Sequence, residues 1–302
     1  MFESIYKPFK ERTPDSQYRQ IMQDILNYGV ELESRQGVNA LTLPHSAKMV
    51  FRLENGAPII TERSIAGFWR KPIGEIMCFV NGGHTLEDLK KYGCENFWAA
   101  WATKEKCEKR GFPEGDLGPG SYGRAFHDFP MPDGQTFNQF QALIDQIKTN
   151  PELRTHFISP WIPFYNFRTE TLKQQVVVSP CHGWIKVRIF NGKVLFQMTQ
   201  RSGDVPVGVP SNMTQYIALM LNLCNATGYE PWIYEHIILE PHIFFFYFPN
   251  VEEMLKREPL CLPTLTLNDD FAGKSFFELM PTDLSLSDYN PHPGIKGIPV
   301  AT

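Results

Sequence analysis

The segment 179–212 constrains the fold of this chain most, because its pattern encodes a β-hairpin. Apolar and polar side chains alternate in 184–190 and again in 194–199, which is the period of two half-buried strands. Between them lies Asn191-Gly192, the dipeptide preferred in a type I′ turn, where both residues need φ > 0. The sequence therefore predicts an antiparallel pair of strands whose open ends lie side by side.

The open ends of this hairpin carry a thiol and a cation. Cys181 precedes the first strand and Arg201 follows the second, so we expect their side chains to be neighbours. A fixed cation favours the thiolate, which is the nucleophilic form of cysteine. His182 is a poorer activator, because successive side chains of an extended chain point to opposite faces. An isolated cysteine is more often a small buried apolar residue, so the predicted nucleophile depends on the whole cluster.

Composition limits the class of protein. The chain has 302 residues and a formal charge of −4, and neither half is strongly basic, so nothing predicts a nucleic-acid surface. Its 6 cysteines show no CxxC spacing, which argues against a zinc site or a disulfide framework, and we expect no metal. The most apolar run, 243–248, is too short to span a membrane and is predicted to be a buried strand. The N-terminus lacks a signal-like apolar core, so we expect a soluble, cytoplasmic protein.

Periodicity predicts further elements along the chain. Apolar residues at helical spacing predict helices over 18–29, 71–81 and 138–149. A fourth helix is predicted to begin at Asn212 and to end at Gly228, a typical C-cap residue. Two further segments carry other predictions: a strand over 58–63, and a charged surface excursion over 103–114 that ends in Gly and Pro.

Four groups of residues resemble, in order and spacing, the core of the folate-dependent thymidylate synthase family. They are Pro180-Cys181-His182, Gln200-Arg201-Ser202-Gly203-Asp204, Gly208-Val209-Pro210-Ser211-Asn212 and His242. The resemblance starts near Tyr18 and continues to the terminal residues 299–302. It implies one α/β (α+β) catalytic domain over 1–302, with three layers around a mixed twisted β-sheet, and a homodimer. The excursion 103–114 is then an insertion.

The resemblance assigns catalytic roles to Cys181, Glu75, Tyr122, Arg201, Asp204 and Asn212. In the family the cysteine adds to C6 of a pyrimidine, and the asparagine amide donates to O4 and accepts from N3–H. Glu75 and Tyr122 correspond to residues that order water and help to remove the C5 proton. From the pattern alone, Glu75 is equally compatible with an exposed helix surface.

The residues expected to hold the nucleotide are Arg35, Arg154, Gln200, Arg201, Ser202, Asn212 and His242. In the family, the arginine at the place of Arg154 reaches across the dimer to the partner's phosphate site. The second arginine of that pair is Thr155 here. The amide of Asn212 favours uracil over cytosine, hence dUMP over dCMP. Phe244 stands where a tyrosine contacts the sugar 3′-OH, so the sugar preference stays open.

The residues expected to hold the folate are Trp98, Trp101, Asp204, Val207, Gly208 and Val300. Two positions depart from the family pattern: Ala99 replaces an acidic residue and Ser211 replaces an aromatic one.

The function implied by the resemblance is reductive methylation of dUMP to dTMP. The co-substrate is 5,10-methylenetetrahydrofolate, which leaves as dihydrofolate. A hydroxymethylase on the same scaffold is the alternative, with water instead of hydride capturing an exocyclic methylene on the pyrimidine. Trp98 and the terminal Pro-Val-Ala favour exclusion of water, hence methylation. A third hypothesis is a non-catalytic protein that binds nucleotide or RNA.

Overall fold

The computed structural model describes residues 1–33, 37–296 and 298. The α-helices among them are α1 Gln17–Tyr28, α2 Arg70–Val80, α3 Leu86–Lys91, α4 Lys104–Glu108, α5 Tyr122–His127, α6 Gln139–Thr149, α7 Pro163–Asn166, α8 Gly208–Thr227 and α9 Phe248–Leu255. The strands are β1 Val30–Glu33, β2 Asn39–Thr42, β3 Ala47–Arg52, β4 Phe129–Pro130, β5 Thr136–Phe137, β6 Phe157–Ile158, β7 Trp184–Phe190, β8 Lys193–Gln200, β9 Gly203–Asp204, β10 Glu230–Ile238, β11 Pro241–Phe244, β12 Thr264–Leu267 and β13 Leu284–Ser287.

The larger sheet contains the predicted hairpin. Its strand order is β3-β10-β8-β7-β6, with β10 and β8 parallel and the other pairs antiparallel, so the sheet is mixed. Strands β7 and β8 pair from Trp184 opposite Thr199 to Phe190 opposite Lys193. The turn residues Asn191 and Gly192 have φ of 50° and 78°, as a type I′ turn requires. The hairpin prediction is confirmed.

A second sheet lies where the first one ends. Its order is β1-β2-β11-β9, and β9 runs parallel to β11. This pairing places Asp204 opposite His242. Two short strand pairs, β12 with β13 and β4 with β5, complete the sheets of the described residues. The fold is therefore α+β with mixed sheets, as predicted.

Helix α8 is the centre of the packing. Residues 212–224 are all buried, because the helix is mostly apolar and is enclosed by other elements. It packs against β8 and β10 of the larger sheet and also against α2 and α6, which makes three layers. The helix ends at Gly228, whose φ of 80° is the left-handed conformation typical of a C-cap. The predicted start at Asn212 is wrong: the helix begins at Gly208, so Asn212 lies one turn inside it.

The other three helix predictions are confirmed within about two residues, by α1, α2 and α6. Every residue of α2 from Pro72 to Val80 is buried. Glu75 is therefore an interior residue, and the alternative of an exposed helix surface is wrong.

The two predicted strands at 58–63 and 243–248 differ from the structure. Residues 58–63 are buried but pair with no strand among the described residues. Instead the C-terminal segment covers them: Tyr289 donates to the Ile60 carbonyl and the His292 amide donates to the Thr61 carbonyl, both at 2.9 Å. In 243–248 only the first two residues belong to β11, and the rest form a 3₁₀ turn and the start of α9. A short apolar run without alternation does not distinguish strand from helix.

The excursion 103–114 is mostly exposed, as predicted, and contains α4. It is attached to the rest of the molecule by buried Cys107 and by Lys106, whose Nζ lies 4.8 Å from the centre of the Trp101 ring. No helix formed by the described residues has the length and apolar character needed to cross a bilayer.

Candidate active site

The hairpin brings Cys181 and Arg201 into direct contact. The Arg201 backbone N–H donates to the Cys181 carbonyl at 2.8 Å, and Nη2 lies 3.3 Å from Sγ. The guanidinium also donates to the carbonyls of Pro180 and Ser179, at 2.8 and 3.0 Å. Its Cζ lies 5.8 Å from the centre of the Trp161 ring. Nη1 has no hydrogen-bond partner among the described residues, so one edge of the cation remains available to a ligand.

The protonation of Cys181 differs from the sequence-based expectation. Burial raises the pKa of the Cys181 thiol, and Arg201 offsets only part of that rise. The free protein therefore holds this cysteine mainly as the thiol, although the predicted cation is in place. Arg201 lowers the pKa of Cys181, as expected, but desolvation outweighs the attraction of one guanidinium.

His182 is a structural residue, as expected. Its Nδ1 and the Tyr216 hydroxyl are 2.6 Å apart, and its ring stacks on Tyr122 with centroids 4.5 Å apart. Burial, together with the charge of Arg201, lowers the pKa of His182 to about 3. The imidazole is therefore neutral. Its Nδ1 is engaged by Tyr216, so we do not assign it as a base for Cys181.

Tyr122, the first residue of α5, holds the loop that carries the nucleophile. Its hydroxyl accepts hydrogen bonds from the backbone N–H groups of Cys181 at 2.6 Å and His182 at 3.3 Å. Burial raises the pKa of Tyr122 well above its ordinary value, so the phenol keeps its proton. Its ring also contacts Trp98 edge to face at 6.3 Å. Tyr122 thus connects Cys181 to the group of residues around Glu75.

Glu75 lies in a chain of four hydrogen-bonded side chains. Trp98 Nε1 donates to Glu75 Oε1, and Gln215 Nε2 donates to Glu75 Oε2. Gln215 Oε1 in turn accepts from Asn212 Nδ2 at 2.9 Å. Burial raises the pKa of Glu75 to about 7, although its two donors lower it. A carboxyl that titrates near neutral pH is suited to moving a proton.

Gln215 was not predicted to be a site residue. The available signal was a second carboxamide side chain three residues after Asn212 on a mostly apolar helix. Residues at this spacing share a helix face.

Asp204 lies on β9 opposite His242 and is bonded by the Tyr247 hydroxyl and the Val207 backbone N–H. Burial raises the pKa of Asp204 to about 7. Its Oδ1 is buried without a hydrogen-bond partner in the described part of the chain. Tyr247 was missed because its segment was predicted to be a strand.

Gly208 places Asp204 and Asn212 in one site. A Cβ on Gly208 would lie 3.8 Å from the Asp204 Cβ and 4.0 Å from Asn212 Oδ1. Val207 is half-buried immediately before it, at the N-cap of α8. Across β11, burial lowers the pKa of His242, so its ring is neutral. The ring contacts Phe244 edge to face at 5.2 Å.

Gln200 and Ser202 differ in whether their side chains are available to a ligand. The Gln200 amide is buried between His236 Nε2 at 2.8 Å and the Ser202 carbonyl at 3.0 Å, so it supports the backbone of the loop. The Ser202 hydroxyl is half-buried and bonds to none of the described residues. This hydroxyl is therefore a second donor, next to Arg201 in the chain, that is available to a ligand.

Of the remaining predicted residues, one lies on the surface and two lie outside the described part of the chain. Arg154 is exposed on the loop between α6 and β6, and no described residue pairs with it. Arg35 and Val300 lie outside the described residues, so their predictions stay untested. In the part that is described, no group of three or more His, Cys, Asp or Glu side chains is placed to hold a metal ion.

A thiol held against a guanidinium, beside a carboxyl that titrates near neutral pH, is an arrangement for nucleophilic catalysis with proton transfer. The family model described as thymidylate synthase matches residues 16–301, essentially the whole chain. The chain belongs to the thymidylate synthase family. It is a one-carbon transferase acting at C5 of a pyrimidine.

Proposed function

We propose that this protein converts dUMP to dTMP by reductive methylation with 5,10-methylenetetrahydrofolate. The contact between Cys181 Sγ and Arg201 Nη2, at 3.3 Å, carries the proposal. It places a nucleophile that can add to C6 of a pyrimidine next to a cation that can bind a phosphate. The amide of Asn212 supports uracil as the base, because it can donate to O4 and accept from N3–H.

The phosphate of dUMP is assigned to Arg201 Nη1 and the Ser202 hydroxyl. Neither group has a partner among the described residues, and a guanidinium edge suits phosphate geometry. Arg35 from the same chain and Arg154 from a second copy complete the proposed phosphate cluster. Since Thr155 replaces a cation, each remaining arginine contributes more to the phosphate than it would in a set of four.

Bond formation begins at the thiol. Because burial raises the pKa of Cys181, the thiol releases its proton to water as the sulfur attacks C6, and Arg201 stabilises the thiolate that forms. The negative charge moves to the pyrimidine O4, where the Asn212 amide donates a hydrogen bond. The addition makes C5 the nucleophilic carbon of the ring.

Removal of the proton at C5 is assigned to Glu75 and Tyr122. Glu75 titrates at about 7 and can accept a proton through ordered water at neutral pH. Tyr122 contacts the loop of Cys181 and keeps its own proton. The two side chains thus differ in role: one accepts the proton and the other orders the path.

The residues present fit a folate. The buried Asp204 Oδ1 has no donor among the residues that the structure describes, and the pterin ring carries N3–H and an amino group on one edge. Trp98, 8 % exposed, and half-buried Trp101 are assigned to the apolar wall, and Val207 and Gly208 to the part of the site near Asp204. When bound, the folate supplies one carbon and a hydride.

Hydroxymethylation of the same nucleotide is the second candidate. Half-buried Ser211 places a hydroxyl next to Asn212 in the first turn of α8, where it can hold a water molecule. Trapping of the exocyclic methylene by such a water gives a hydroxymethyl product and leaves tetrahydrofolate.

The mass of the product nucleotide separates the two reactions. Purified protein is incubated with dUMP and 5,10-methylenetetrahydrofolate, and both products are identified by mass spectrometry. The proposal predicts dTMP with dihydrofolate in equal amounts. A hydroxymethyl nucleotide with tetrahydrofolate contradicts it, and unchanged dUMP supports a non-catalytic binder.

A homodimer of one catalytic domain is part of the proposal. The exposed position of Arg154 supports it, because an arginine that pairs with none of the described residues is available to a second copy.

A further inference from the structure

Gln215 lies between two side chains of the site and contacts both. It is fully buried, with Nε2 on Glu75 Oε2 and Oε1 2.9 Å from Asn212 Nδ2. Both ends of its amide are used, so its orientation is linked to the state of its neighbours. An amide that turns over exchanges a donor for an acceptor at each end.

The chemistry of Trp98 fixes the direction of this chain. An indole N–H can only donate, so Glu75 Oε1 must accept from it. An ionised Glu75 can only accept at Oε2 as well, and Gln215 must present its Nε2 there. Its Oε1 is then left to accept from Asn212 Nδ2.

The consequence is a defined outer edge on Asn212. With one Nδ2 hydrogen committed to Gln215, the side chain keeps one acceptor, Oδ1, and one N–H donor. These match the N3–H and O4 of uracil. In the reversed arrangement Oδ1 bonds to Gln215 and two N–H donors face the base, which leaves N3–H opposite a donor.

We propose that Gln215 is a positioning residue that transmits the orientation set by Trp98 and Glu75 to the Asn212 amide, and thereby determines recognition of uracil. The inference rests on the proposed function in one respect, that Asn212 reads the pyrimidine. It adds a residue that does not touch the substrate and acts only through another.

A pair of near-isosteric exchanges tests the direction of the chain. In Glu75→Gln, the new amide must turn its oxygen to Trp98 and its NH₂ to Gln215, which reverses both Gln215 and Asn212. In Gln215→Glu, two carboxylates face each other. In the double variant Glu75→Gln/Gln215→Glu, the amide donates to the new carboxylate, whose other oxygen accepts from Asn212 again. Gln20→Glu, on the exposed face of α1, is the matched control.

The first readout is the Kd of dUMP, measured by calorimetry without folate well above pH 7. Each single variant is expected to bind dUMP about tenfold more weakly, because one hydrogen bond is replaced by a mismatch. The double variant is expected to regain the affinity of the unmodified protein within about threefold. The double variant still lacks the Glu75 carboxylate, so its turnover stays low. The affinity for dUMP is therefore measured, and not the rate of turnover.

The second readout needs no ligand. In ¹⁵N-labelled protein, the Asn212 side-chain NH₂ signal is assigned by its loss in Asn212→Asp, and the exchange of its protons with water is followed. One proton is expected to be protected in the unmodified protein and in the double variant, and none in Glu75→Gln.

The two readouts distinguish the inference from the proposed function. If the exchange pattern appears but dUMP does not bind, the positioning role stands and the proposed function fails. If Asn212 is equally protected in all variants, or if the double variant binds dUMP as weakly as the singles, the positioning role is wrong, even for a protein that binds dUMP well.

Discussion

Arg201 holds Cys181 from two directions: its backbone N–H bonds to the Cys181 carbonyl at 2.8 Å while its Nη2 lies 3.3 Å from Sγ. The register of the hairpin produces this relationship, because Trp184 pairs with Thr199 and the chain beyond each strand end continues alongside the other. A shift by one residue would turn the guanidinium to the other face of the sheet. The contact is therefore a property of the fold and does not depend on a substrate.

Removal of this cation should make the thiol less reactive. Burial already raises the pKa of Cys181, and Arg201→Met removes the group that opposes the rise. We expect alkylation of Cys181 by iodoacetamide to increase with pH in both proteins and to be about tenfold slower in the variant at pH 8. Peptide mass spectrometry identifies the modified cysteine, and Arg52→Met, at the exposed last residue of β3, is the control. Equal rates would show that the contact does not stabilise the thiolate.

The protonation of Glu75 should set the acidic limb of the reaction. With a pKa of about 7, the carboxyl loses its capacity to accept a proton as the pH falls below that value. We expect tritium release from dUMP labelled at C5 to decrease on the acid side of pH 7. Glu75→Gln is expected to lower the rate about 100-fold or more and to remove the limb. Asp204→Asn, which removes the other carboxyl with a pKa of about 7, is expected to keep it; loss of the limb there instead would reassign the base.

Asp204 should make the free protein less stable as the pH rises. Its folded-state pKa of about 7 lies above the ordinary value of 3.8, so the folded protein binds this proton more tightly than the unfolded chain. The contribution of Asp204 to stability is then greatest below pH 4 and is lost as the pH rises past about 7. Asp204→Asn is expected to remove this loss, of about 2–4 kcal/mol, from urea unfolding curves.

The comparison is made without ligands, and Asp270→Asn on the surface is the control. If Asp204→Asn and the unmodified protein show the same dependence on pH, the buried carboxyl is already ionised at low pH.

Arg154 should act on the site of a second copy. We expect Arg154→Ala and Cys181→Ala to be inactive or strongly impaired alone and to regain activity when refolded together. A mixed dimer contains one site with both an intact Cys181 and an intact arginine from the other chain. Steady-state turnover of the mixture measures the effect. No gain on mixing would place Arg154 outside the partner's site, and Arg52→Ala mixed with Cys181→Ala controls for exchange of intact chains.

Local patterns predicted much of the fold around the site. The hairpin follows from alternation and from the φ values that Asn191 and Gly192 allow, both of which are local properties. The burial of 58–63 was visible in its apolar residues, but its covering by the segment around Tyr289 depends on chain that lies far away in sequence. Periodicity carries no information on such partners, so the segment was predicted to be a strand.

The site shows the same limit. Cys181 and Arg201 are joined by one hairpin, and sequence reasoning placed them together correctly. The net rise in the pKa of Cys181 was not predicted, because desolvation depends on everything packed around the sulfur. Gln215 and Tyr247 were missed because each matters only through a side chain from another element, Glu75 in the first case and Asp204 in the second.

Tritium release from dUMP labelled at C5 by the unmodified protein and by Cys181→Ala tests the central claim most directly. The substitution is small and its position is half-buried, so the variant is expected to fold and to bind dUMP with little change. In the presence of 5,10-methylenetetrahydrofolate, we predict release of the label by the unmodified protein and none by the variant. Release by Cys181→Ala at the unmodified rate would contradict addition of this thiol to C6, and with it the mechanism.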